Sequence, residues 1–265
     1  MKKLLALSLL AACSSGEPPS PNPPPPWGVP ISGGNMIIAH DGRHAIIADA
    51  DRDRILSVDT QTGDTKELAL DKDAEPGRLV EDAAGRIHVA LRRGGTLVTL
   101  DEGLGVLAKR AVCAEPRGVA VDGDSVHVAC SGGELVTLPA AGGDPTRTLR
   151  LDRDLRDVVV ADGQLYVTRF RTAELLAIDA SGNVTSRVAP PPVQRPDFSG
   201  GGELGSDSVP TIEAKAEVAW RTIALADGTL VMSHQRALQT WLEFIAQENR
   251  GHTDMDAAKP ISIEQ

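Results

Sequence analysis

Aromatic side chains are scarce: Phe, Trp and Tyr together make up 3% of the 265 residues. A core must therefore be assembled from Val, Leu, Ile and Ala, which suits small, closely stacked sheets. Basic charge is also short, with 27 Lys and Arg against 37 Asp and Glu, a net charge of −10 and a sequence pI near 5.1. That balance argues against DNA and RNA as partners, because phosphate backbones are held by basic surfaces. The amino-terminal apolar run Leu4 to Leu10 is too short to cross a bilayer, where about 20 apolar residues are needed. Gly-rich phosphate loops, nucleophile elbows, HExxH and CxxCH haem sites are all missing, so no cofactor and no metal site is expected. Cysteine appears only three times.

What the amino terminus does contain is informative. Lys2 and Lys3, the apolar run and the small residues Ala11 and Ala12 have the order of an export signal. Leu10-Ala11-Ala12-Cys13 resembles the lipobox of bacterial lipoproteins. The resemblance implies cleavage before Cys13, leaving 1–12 as a signal peptide, and lipidation of Cys13. Ser14 in place of Asp implies the outer membrane by the sorting rule for such proteins. Ser14 to Pro26, SSGEPPSPNPPPP, cannot make a helix or a ladder, so 13–33 reads as a stiff linker.

Beyond the linker the chain repeats. A short apolar strand, a Gly turn, a second strand, a polar turn and a third strand recur in frames set on Met36, Arg78, Arg117, Arg156 and Arg221, at steps of 42, 39, 39 and 65 residues. Four short strands per period of about 40 residues is the pattern of a β-propeller blade. The expected fold is all-β: four complete four-stranded blades plus a partial fifth, over 34–237. Pro190 to Val209 is rich in Pro, Gly, Ser and Asp, and 190–217 is expected to be a flexible insertion. Leu238, Trp241, Leu242 and Ile245 have helical spacing, so 238–265 reads as an amphipathic helix and polar tail.

Setting Cys13 aside leaves Cys113 and Cys130, an even pair in an oxidising compartment. The repeat places both at one end of the same blade, and a disulfide is expected there; the alternative is two free buried thiols. Arg78, Arg117, Arg156 and Arg221 share one phase, at the starts of successive innermost strands, which surround the mouth of an axial channel. Converging there, they would form an anion-binding rim with forked donors suited to carboxylate or phosphate. The alternative has each guanidinium neutralised by Glu75, Glu115, Asp157 or a carbonyl. His234 is the one candidate for acid/base work near the same mouth, whereas His88, His127 and Tyr166 read as packing residues.

The segments PRGVAVDGDSVHVAC and LRDVVVADGQLYVTRF, within Glu115 to Asp179, resemble the NHL and YVTN-type propellers of bacterial envelope proteins. The resemblance spans about 35–234 and implies a scaffold whose channel mouth and loops bind protein, peptide or glycan partners. Haem-dependent activity of longer relatives is not implied, since the attachment motif is missing. The expected function is a lipid-anchored, non-catalytic binding module of the envelope. Two rivals are a lactonase- or lyase-type propeller enzyme using Glu75, Glu115 and His234, and a truncated member of a larger propeller protein.

Overall fold

Hairpins laid down in chain order build five antiparallel sheets in the computed structural model, which describes residues 35–196 and 211–238. The first sheet holds β1 (Met36–Ile38), β2 (His44–Asp49), β3 (Arg54–Asp59) and β4 (Thr65–Ala69). The second holds β5 (Pro76–Glu81), β6 (Ile87–Leu91), β7 (Thr96–Leu100) and β8 (Val106–Ala111). The third holds β9 (Pro116–Asp122), β10 (Ser125–Cys130), β11 (Glu134–Pro139) and β12 (Arg147–Arg150). The fourth holds β13 (Leu155–Ala161), β14 (Gln164–Arg169), β15 (Leu175–Ile178) and β16 (Val184–Val188). Each is an up-and-down meander, the blade of a β-propeller. Turn chemistry sets the registers: Ala161 pairs with Gln164 around Asp162-Gly163, whose φ values of 50° and 72° are both positive, as a two-residue hairpin demands.

Burial falls from the axis outward. Every residue of β6 is buried, whereas β8 is mostly exposed. Both faces of a middle strand are covered because blades stack face to face. Ile37, Ile46 and Ile55 of the first blade pack on Leu79, Ile87 and Leu100 of the second. Val80 and Leu97 then meet Val119, Val126 and Leu138, and Leu135 meets Leu155, Val167 and Leu176. Small side chains let innermost strands approach closely. A Cβ on Gly118 would come within 2.7 Å of the Val158 nitrogen and 2.8 Å of the Asp157 Cα, so β9 and β13 touch only because that position is glycine.

The fifth sheet is partial, as expected, but it draws a strand from the stretch expected as an insertion. It has three strands, β17 (Val193–Pro196), β18 (Thr211–Ala224) and β19 (Leu230–Leu238), with β18 in the middle. Part of the stretch expected as a flexible insertion is therefore strand: Val193, Gln194, Arg195 and Pro196 pair with Ala214, Glu213, Ile212 and Thr211. Pro196 is tolerated because it ends an edge strand, where a missing N–H breaks no ladder. Residues 197–210 lie outside the described residues, as do the signal peptide, Cys13 and the linker up to residue 34. The helix expected over 238–265 also lies outside them, except Leu238, which ends β19.

The blades are packed in series, and the fifth sheet rests on β13 of the fourth. No packing of comparable extent joins the fifth sheet to the first among the described residues. Both end sheets leave apolar side chains exposed: Met36 and Ile38 on β1, and Trp220, Val231 and Leu238 on the fifth sheet.

Gly118→Ala is expected to destabilise the domain by about 1–3 kcal/mol, the usual cost of overpacking. Urea unfolding reads this as a lowered midpoint, and an unchanged midpoint would mean that β9 and β13 can separate.

Candidate functional site

In three successive blades the innermost strand, and in the fifth sheet the middle strand β18, slips its hydrogen-bond register beside the arginine that the repeat singled out. The slips fall between Pro76 and Leu79, between Pro116 and Gly118, between Leu155 and Val158, and on both sides of Ala219. A bulge inserts one extra residue and re-aims its side chain. Arg78, Arg117 and Arg156 sit within these bulges, and Arg221 borders the last one. β1 has neither an arginine nor a bulge.

The bulged segments converge on the axis through one carboxylate. Asp157, with its side chain 5% exposed, receives Arg78 Nε on Oδ1 at 2.9 Å and Arg78 Nη2 on Oδ2 at 3.3 Å. Its Oδ2 also accepts the Thr222 N–H at 2.8 Å. Arg78 Nη2 donates in addition to the Trp220 carbonyl at 2.9 Å, so the second, fourth and fifth blades are tied together at the centre. Arg117 pairs with Glu115 at 3.1 Å, and Glu115 also accepts the Ser131 hydroxyl. These contacts match the neutralised alternative for Arg78 and Arg117.

Arg156 and Arg221 are different: among the described residues neither has a carboxylate within ion-pair distance. The Arg156 guanidinium lies 4.9 Å from the Phe170 ring centre and 5.3 Å from that of Trp220, a cation–π arrangement. Burial first, then repulsion from Arg78, pushes its pKa down. The same two causes push Arg221 down to about 10, so it remains cationic at neutral pH. Arg156 Nε and Arg221 Nη2 are buried without a hydrogen-bond partner among the described residues. Buried unpaired N–H groups on a cation are costly, and an anion is the group that would offset the cost.

Arg156, though not Arg221, lines a cavity of about 30 Å³ together with Asn35, Gly77, Arg78, Arg92 and Arg117. It has room for a single carboxylate-sized group, the end of a ligand rather than its body. Arg92 was not among the sequence candidates. Its backbone N–H bonds the Glu75 carbonyl as Ser131 bonds Glu115 and Phe170 bonds Asp154, one contact repeated in three blades. The 39-residue step, carried from 92 to 131 and 170, would have marked the position, but the side chains differ at each. Glu75 lies 3.6 Å from Arg92 and 3.0 Å from Arg93.

His234 does not join this group. It pairs in register with Ala219 on the neighbouring strand, and its Nδ1 lies 2.8 Å from the Gln235 carbonyl oxygen. His88 is fully buried between Thr99 and Asp82, at 3.0 and 2.9 Å, and His127 contacts Thr137 at 3.0 Å, both packing roles. Cys113 and Cys130 form a disulfide that holds the connector bearing Glu115 against the end of β10. Among the described residues no three His, Cys, Asp or Glu side chains gather to hold a metal ion.

No sequence family and no curated protein matches the chain. Solved structures do. A streptogramin B lyase is similar with a TM-score of 0.55 at 14% identity, over 77% of this chain and 69% of that one. Virginiamycin B lyase from Staphylococcus aureus gives 0.55 at 12% identity, over 78% and 73% of the two chains. Hydrazine synthase of Kuenenia stuttgartiensis gives 0.54 at 16% identity, over 83% and 70%. At these identities the likeness establishes the propeller fold alone.

Asp157→Ala is expected to cost about 3–5 kcal/mol, because it leaves the Arg78 guanidinium buried without its partner. Guanidinium-induced unfolding measures it, and a loss below about 1 kcal/mol would mean that the axial tie does not hold the blades.

Proposed function

We propose that this propeller is a non-catalytic binding module, held at the outer membrane by a lipid on Cys13, whose axial opening takes an anionic group of its ligand. The observation that carries the reading is the pair Arg156 and Arg221, half-buried cations that each keep one buried N–H group unpaired and have no carboxylate partner among the described residues. A carboxylate suits the forked guanidinium donors, and the small cavity favours it over a bulkier phosphate ester. The ligand is then a protein, peptide or glycan presenting one such group at the mouth. Catalysis of the lactonase or lyase type around a divalent cation is the rival. Glu75 and Glu115 are engaged with arginines and His234 stands apart, so nothing in their placement favours it. One divalent ion per chain in the purified protein would transfer the assignment to that rival.

Succinate and citrate are expected to raise the melting temperature of the full chain. A ligand at a hundred times its Kd adds about 2.7 kcal/mol of stability, or roughly 5–10 °C for a domain of this size. The shift should disappear in Arg156→Ala and Arg221→Ala. No shift across a broad panel of organic acids and phosphate would overturn the reading.

Cys13→Ser is expected to release the protein from the membrane fraction of an expressing bacterium, since acyl chains supply about 0.8 kcal/mol per buried CH₂. Retention of the variant in that fraction would overturn the anchor while leaving the arginine site standing.

A further inference from the structure

The first and second blades enclose a larger cleft at the opposite ends of their innermost strands from the arginines. Its volume is about 540 Å³, within the range of small-ligand sites. The β1–β2, β5–β6 and β7–β8 turns form its rim, carrying Asp41, Gly85 and Glu102, while Ile46 and Ile87, each 1% exposed, form an apolar floor. Glu81 ends β5 and lines the cleft with its side chain 6% exposed. Its Oε2 accepts the His40 N–H at 2.7 Å, whereas Oε1 lies 3.6 Å from His40 Nδ1, at ion-pair rather than hydrogen-bond distance, and accepts no hydrogen bond among the described residues. Burial raises the Glu81 pKa against the opposing hydrogen bond and charge of His40, and the nearby charges of Asp41 and Glu102 add to the rise. For Asp41, hydrogen bonds from His44 and from the Arg43 N–H outweigh burial and hold it at about 2.

We infer that this cleft is a second binding site, for a primary ammonium group carried on a short aliphatic chain. Three carboxylates face it against one permanent cation, the exposed Lys66, so its field favours a positive ligand. The Glu81 Oε1, which accepts no hydrogen bond among the described residues, takes one N–H of the ammonium. Glu102 takes another from the rim, where it lies against Gly85, so closely that a Cβ there would stand 2.8 Å from its Oε1. The methylenes rest on Ile46 and Ile87. A metal ion fits less well, because no three ligating side chains gather among the described residues. The site is independent of the arginine opening and does not rest on the function proposed for it.

The test is calorimetric titration of the full chain with 1,5-diaminopentane, beside 1,5-pentanediol as the neutral analogue. Saturable binding of the diamine alone is expected. Glu81→Gln should weaken it at least tenfold, about 1.4 kcal/mol. Glu102→Gln, at an exposed position that leaves folding unchanged, should weaken it severalfold, and Arg156→Ala should bind as the native chain does. Absence of saturable binding would overturn the inference. So would equal binding of the diol, or affinity unchanged by both carboxylate substitutions. Displacement of the diamine by equimolar calcium or zinc would overturn it in favour of a metal site.

Discussion

Asp157 is the single carboxylate on which the axial arrangement turns. Guanidinium groups brought to one axis repel one another, and the bulged strands bring them there by construction. Asp157 answers the charge of Arg78, and through the Thr222 N–H and the Trp220 carbonyl it links three blades that are far apart in sequence. Its burial makes the pairing geometry matter: a carboxylate at 5% exposure with three N–H donors is well satisfied. One carboxylate cannot serve every arginine: Arg156 remains against the Phe170 and Trp220 rings, and Arg156 and Arg221 each keep an N–H group unpaired among the described residues. The surplus positive charge follows from the same repeat that builds the fold.

The apolar framework works with unusually small pieces. Valine, leucine, isoleucine and alanine interleave between blades, and His88 and His127 occupy strand positions where their ring nitrogens meet threonine hydroxyls one strand away. The scarcity of aromatic rings is consistent with this: a blade stack has narrow gaps that β-branched and small residues fill well. Phe170 and Trp220, two of the few rings present, are found at the axis against Arg156, where a cation rather than a hydrocarbon is the partner.

Periodicity carried the architecture because the first four blades repeat their strands and turns at nearly constant spacing, and the second, third and fourth repeat an arginine as well. Arg78, Arg117 and Arg156 were visible for that reason, and so was the pairing of Cys113 with Cys130. Three things were hidden. The bulges leave no composition signal, since an extra residue in PGRLVE looks like any other; they show only when partners are counted across the hairpin. Arg92 was hidden because its equivalents are Ser131 and Phe170, so the position repeats in backbone but not in side chain. β17 was hidden by its neighbours: four strand residues between a proline run and a glycine run read as loop until β18 is seen to extend far enough to pair with them.

Charge is distributed against the whole-chain average. A body of net charge −10 places a concentration of arginines at one end of the innermost strands and carboxylates at the other. Arg78 and Glu81 stand only three residues apart on β5, about 10 Å at strand rise. The acidic exterior works against long-range attraction of an anion, so the anion proposed at the axis would be held by short-range contact with the N–H groups left unpaired on Arg156 and Arg221. A protein built this way would select an anionic ligand by contact at the mouth rather than by steering it from a distance.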